Sequence, residues 1–169
     1  LRVVAVSPCG QWCAGAGDAG RVHLWHLPRG KLIHFWDAHF QAIRAMAFRP
    51  DGQALATAGD DGRFTSGRDG GDADTVTLQG HSLAVTQIAW SRLPSAPRLF
   101  STSLDRTFRI WQPATGQCLA TILFPSPLTC LAHDGAILSV ALSFEETRAV
   151  SASSDGTVKI WDLASAQPV

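Results

Sequence analysis

The sequence lacks the features that most directly announce a chemistry. Its four cysteines, Cys9, Cys13, Cys118 and Cys130, form no CxxC and no Cys/His set at zinc spacing, and in 169 residues they make no disulfide framework. A reducing compartment fits them best. Charge of one sign is missing as well: 14 basic residues balance 14 acidic ones, so nothing favours nucleic acid or an anionic membrane. No apolar run approaches the roughly 20 residues of a membrane span, and the first residues carry no signal-peptide pattern. No segment has helical periodicity. The first residue is Leu1 rather than Met, and we expect a piece of something longer. What is present is 46% hydrophobic residues, enough for the core of one sizeable domain.

A repeat organises those residues. Four segments share an alternating apolar strand, a turn, a second apolar strand ending in small residues, a tight turn, and a strand that usually ends in Trp. The first strands are VVAVS (3–7), IRAMAF (43–48), VTQIAW (85–90) and ILSVAL (137–142); the second are WCAGA, LATAG, LFSTS and AVSAS. The third follow in GDAGRVHLW, DDGRFTSGR, LDRTFRIWQ and SDGTVKIWD. His39, His81 and His133 each stand four residues before a first strand, and their distances to Asp61, Asp105 and Asp155 are 22, 24 and 22 residues. Period-2 alternation between Gly, Asp and Ser turns predicts short antiparallel strands.

DGTVKIWDL, RTFRIWQ, RVHLWHL and the histidine before each unit resemble WD40 repeats, with four strands per propeller blade. The resemblance implies an all-β fold, a partial WD40 β-propeller of about four blades, with approximate repeats at 1–38, 39–80, 81–132 and 133–169. It also implies that His81, Ser101, Asp105 and Trp111 form a structural hydrogen-bond network, and that His133, Ser151, Asp155 and Trp161 form a second. In the second repeat His39, Thr57 and Asp61 are present but Gly67 takes the Trp position; in the first, Ala19 takes the Asp position.

Four chemical readings compete with this one. Ser, His and Asp in one unit invite a serine-hydrolase triad, but the set recurs in register, which a triad does not normally do, and we expect no catalytic residue. GAGDAG (15–20) matches GxGxxG, yet RVHLW follows it as a strand where a dinucleotide site needs a helix, so these glycines are expected in turns and no cofactor is implied. His23, His26 and His34 have no metal-ligand spacing and are expected on surface or edge strands. Arg63, Arg68, Arg98, Arg106 and Arg109 show no aromatic and basic interleaving of the kind that stacks on and neutralises single strands, and Asp69, Asp72 and Asp74 follow the first pair, so no direct nucleic-acid binding is predicted. Trp36 and Phe40 flank the His39 turn and are expected either to pack or to contact a partner.

Two segments carry a closer likeness. HLWHLPRGKLIHFWDAHFQAIRAMAF and LFSTSLDRTFRIWQPATGQCLATILFPSPLTCLA are similar to the Ipi-three/WD-repeat-eighteen family, the WD-repeat subunit of the Rix/PELP-type complex that matures large ribosomal subunits. That resemblance implies a non-catalytic adaptor in the nucleus, nucleolar or nucleoplasmic, bound to a helical-repeat scaffold subunit and meeting a midasin-type ATPase on pre-60S particles. It also implies work in pre-rRNA processing, and fungal members add a replication-licensing role. The alternative is a WD40 module of another pathway that reads a peptide or a ubiquitin-type signal. A seven-bladed ring needs about 290 residues, so the chain is expected to be a fragment of such a ring, its end falling where the fourth outer strand should start. PLTCLA (127–132) reads as the inner strand of a further blade.

Overall fold

The structure, a computed structural model, describes residues 1–67, 76–92, 97–123, 137–143, 145, 147–153, 156–162 and 167–169. Alternating side chains put one set of residues on each face of a strand, and turns every few residues return the chain beside itself, which yields antiparallel meanders. The first sheet contains β1 (Val3–Val6), β2 (Trp12–Ala16), β3 (Arg21–His26) and β4 (Lys31–Asp37). The second contains β5 (Ile43–Phe48), β6 (Leu55–Gly59), β7 (Arg63–Gly67) and β8 (Val76–Gln79). The third contains β9 (Val85–Trp90), β10 (Leu99–Ser103), β11 (Thr107–Gln112) and β12 (Gln117–Leu123). The fourth contains β13 (Ile137–Leu142), β14 (Arg148–Ser153), β15 (Val158–Asp162) and β16 (Gln167–Pro168).

Within each sheet the spatial order follows the chain order, so each sheet is one four-stranded blade. The first strands β1, β5, β9 and β13 neighbour one another in turn, which makes them the inner strands of a propeller arc. The only helical turn among the described residues is a 3₁₀ turn at Leu27–Arg29. The fourth outer strand is present, contrary to the sequence reading: Gln167 and Pro168 pair with Asp162 and Trp161. Two paired residues have no alternation to read, which is why the sequence hides them. PLTCLA, Cys130 and His133 lie outside the described residues.

The core lies between the blades. Ala14, Ala16, Val22 and Leu24 of the first blade pack with Ile43, Met46 and Leu55 of the second. Ala45, Ala56, Ala58 and Leu78 of the second pack with Val85, Ile88, Trp90, Leu99 and Trp111 of the third. Phe100 and Phe108 of the third pack with Ala149 and Trp161 of the fourth. Across the second joint the Trp90 indole N–H donates to the Ala47 carbonyl at 2.9 Å.

The turn between the second and third strands needs a left-handed residue, and Gly20, Gly62 and Gly156 supply it with φ of 70°, 70° and 81°. Arg106 occupies the same place in the third blade with φ of 65°. Within GAGDAG, Gly20 is thus a turn residue, and a Cβ on it would run into the His39 carbonyl. Gly15 differs from the expectation of a turn: it lies inside β2, where a Cβ would stand 3.0 Å from the Trp25 ring. The strand β3 that follows leaves no helix N-terminus for a pyrophosphate.

Candidate functional site

The most complete polar constellation among the described residues is built on the third blade. The turn before β9 supplies His81, β10 supplies Ser101, the turn after β10 supplies Asp105, and β11 supplies Thr107 and Trp111. His81 Nδ1 lies 2.9 Å from Asp105 Oδ2 and Nε2 lies 2.7 Å from Ser101 Oγ. The Trp111 indole N–H donates to the same Oγ at 2.8 Å. A carboxylate only accepts, so Nδ1 carries the ring proton of a neutral His81 and Nε2 accepts from the Ser101 hydroxyl. The chain of donors therefore runs in one sense, from Trp111 through Ser101 to His81 and from His81 to Asp105.

Asp105 is the anchor of this chain. Its Oδ2 accepts the Ser82 amide at 3.0 Å; its Oδ1 accepts the Thr107 hydroxyl at 2.6 Å and the Thr107 amide at 2.9 Å. Burial by itself would raise its pKa, but the hydrogen bonds of His81 and Thr107 and the Ser82 amide together hold the carboxyl well below the usual range.

These atoms have the connectivity of a Ser-His-Asp relay but no access to a substrate. Ser101 is 1% exposed and its oxygen is engaged by the indole, while the His81 side chain is fully buried. A nucleophile must reach a carbonyl from outside, and this hydroxyl instead ties β10 to β11 and to the turn before β9.

The other blades carry parts of the arrangement. In the second, His39 Nδ1 lies 3.0 Å from Asp61 Oδ1 and Nε2 lies 3.0 Å from Thr57 Oγ1, while Gly67 pairs with Leu55 where Trp111 pairs with Leu99. In the fourth, the Trp161 indole donates to Ser151 Oγ at 2.7 Å, and Ser151 is 1% exposed. His133 and Asp155, the other two members expected there, lie outside the described residues. In the first, Gly15 and Trp25 occupy the register of Ser101 and Trp111, and Trp25 stacks on His23 at 5.6 Å.

Trp36 and Phe40 part company. Trp36 is half-buried, packs against the core of the first joint and stacks on His34 at 5.7 Å. Phe40 is 88% exposed at the tip of the turn between β4 and β5. The Arg63 guanidinium sits 5.8 Å above its ring. The Phe40 amide lies 3.4 Å from Asp61 Oδ2, so the turn that presents it is fastened to a buried network. The carbonyls of His81 and Leu83 close on Gly62 from the other side, and Leu83 is itself 52% exposed. Phe40, Arg63 and Leu83 therefore line one rim above the second and third blades. Of that rim only Phe40 was singled out in the sequence; its adjacency to Arg63 and Leu83 was not legible, because it depends on two turns meeting across a joint.

Comparison with known proteins locates this architecture. The model of the WD domain, G-beta repeat, matches residues 30–65, 74–112 and 124–162. The pre-rRNA-processing protein crb3/ipi3 of Schizosaccharomyces pombe is 32% identical over 149 residues, covering 79% of this chain and 33% of that protein. The pre-rRNA-processing protein IPI3 of Yarrowia lipolytica is 29% identical, covering 99% of this chain and 53% of the relative. Protein ROOT INITIATION DEFECTIVE 3 of Arabidopsis thaliana is 26% identical, covering 79% of the chain and 33% of that protein. The chain thus spans between a third and about half of the length of these curated relatives.

Proposed function

The chain belongs to the WD-repeat family of β-propeller proteins, and from that membership we propose that it is a non-catalytic scaffold in pre-rRNA processing and maturation of the large ribosomal subunit. The observation that carries this reading is the likeness to pre-rRNA-processing proteins over 79% to 99% of the chain, joined to a polar network with no open side. In such a protein the work is done by rims held rigid by the sheets beneath them.

A nuclear complex, with a helical-repeat scaffold subunit as direct partner and a midasin-type ATPase met on the pre-60S particle, is the finer form of this proposal. The nucleolus and nucleoplasm are its place of action. Phe40 is the contact we assign to it within this chain, because an 88% exposed aromatic on a fastened turn offers area with little ordering to be done on binding.

The test is to tag the protein in its own cells and measure by mass spectrometry whether it cosediments with large-subunit precursors. Recovery with a midasin-type ATPase and a helical-repeat subunit is the expected result. An intact, soluble protein absent from those fractions would discard the reading and leave a WD40 module of another ligand. Phe40→Ala should lower recovery of the direct partner while leaving the melting temperature unchanged.

A further inference from the structure

The rim above the second and third blades carries one strained residue and two cations without partners. Gly20, Gly62 and Gly156 hold the left-handed place in the turn between the second and third strands, but in the third blade Arg106 holds it with φ of 65°. A bulky side chain kept in that conformation is the kind of strain that gathers at ligand clamps. Arg106 and Arg63 are both exposed, and among the described residues neither guanidinium pairs with a carboxylate, whereas those of Arg2, Arg21, Arg44 and Arg49 each do. The neighbouring carboxylates of Asp61 and Asp105 are 10% and 6% exposed and are taken up by His39 and His81.

Apolar side chains fill the space between the two arginines. Phe40, almost fully exposed, lies beneath the Arg63 guanidinium. Leu83 follows, its carbonyl set against Gly62 and accepting the Ser103 hydroxyl at 3.1 Å. Leu104 comes next, its amide donating to the Ala84 carbonyl at 3.0 Å as the Asp60 amide donates to Ala42. Where Asp60 is paired with Arg44, Leu104 is 41% exposed. The strip therefore runs from Phe40 and Arg63 through Leu83 and Leu104 to Arg106. It lies over the second and third blades, each packed on both sides by a neighbouring blade, so its exposure does not depend on what adjoins the first or the fourth.

We propose that this strip docks an acidic segment of a protein partner. A leucine or aromatic side chain of the segment packs on Phe40, Leu83 and Leu104, while carboxylates on either side of it pair with Arg63 and Arg106. Charge selects the segment, because the strip offers two unpaired guanidiniums and, among the described residues, no unpaired carboxylate. The apolar middle selects peptide over nucleic acid, since a phosphate backbone gains nothing from exposed leucines. The proposal rests on the scaffold reading above in taking a protein as what meets Phe40, and adds the chemistry of the segment that meets it.

A library of short random peptides displayed on phage and panned against the whole chain should return sequences in which Asp or Glu flanks Leu, Ile or Phe. Binding of a returned peptide, read by fluorescence anisotropy, should weaken about two- to fivefold in Arg63→Gln and again in Arg106→Gly, the loss of one exposed ion pair each, and should weaken as salt rises. Arg63→Gln should melt with the parent and Arg106→Gly above it, so that weaker binding is not a weaker fold. Arg63→Glu combined with Arg106→Glu should turn the returned sequences basic. Sequences without flanking carboxylates, a selection that returns nothing, or an affinity that both arginine changes leave unaltered would overturn the proposal. So would retention of single-stranded polyuridylate in place of peptide, released by the same changes. A chain that selects acidic peptides but stays out of large-subunit precursors keeps this docking chemistry and loses the role in ribosome maturation; one that cosediments with them and selects no acidic peptide does the reverse.

Discussion

At the scale of single residues, the third-blade network converts buried polarity into strand order, and its worth depends on every member being satisfied. His81→Ala removes the acceptor of Ser101 and the ring N–H that faces Asp105, leaving two buried groups short of a partner. A loss of roughly 2 to 4 kcal/mol follows if each orphaned group costs about 1 to 3 kcal/mol less what solvent entry restores. Chemical denaturation of the variant measures it, and an unchanged midpoint would sink the structural role. The acid limb of stability carries the same signature. The folded pKa of Asp105 is depressed, so its contribution is complete above the unfolded value of about 3.9 and is lost as pH falls below it toward the folded value. Between pH 4 and 2, on the order of the carboxylate range, the parent chain should therefore lose stability more steeply than Asp105→Asn. Equal slopes would mean that another carboxylate sets the limb. Arg106 gives the opposite sign of test: with φ of 65° where the other blades have Gly, Arg106→Gly removes a left-handed strain worth about 1 kcal/mol and should raise the melting temperature by a few degrees.

At the scale of elements, the inner three strands of each blade were legible and the outer strand was not. The strands at 43–48, 55–59, 85–90 and 99–103 have the bounds that the sequence pattern predicts, because an inner strand is flanked on both faces by other blades and its apolar residues are forced to be continuous or to alternate. β4 has six exposed residues and one half-buried one, so nothing in KLIHFWD beyond Trp36 marks an inward face. β12 likewise has no fully buried residue. The membership of His81, Ser101, Asp105 and Trp111 was legible through the constant His-to-Asp offset and the family resemblance, whereas the part of Thr107, whose hydroxyl and amide both reach Asp105, needed coordinates. Outer strands should accordingly tolerate change except where one side chain turns in. Leu78 of β8 is fully buried against the third blade, and Leu78→Ala should cost about 2 to 5 kcal/mol. Leu119→Ala on β12, 44% exposed at the outset, should stay within about 0.5 kcal/mol. Comparable losses in the two variants would show that outer strands hold the blades by area alone and not by that one inward contact.

At the scale of the whole molecule, the core is three separate layers between four sheets, so stability is a sum of blade and joint terms rather than one global core. A blade with a joint on each side has two such terms holding its strands, and one with a single joint has one. β6 and β10, all five residues of each buried, belong to blades flanked on both sides. β2 and β14 hold the same place within their sheets but keep half-buried or exposed positions along their length. Opening a strand to solvent must first break the joints on its blade, so amides of β6 and β10 should exchange with deuterium more slowly than those of β2 and β14 by the free energy of one joint. Uniform protection across all four blades would mean that the arc opens as a single unit.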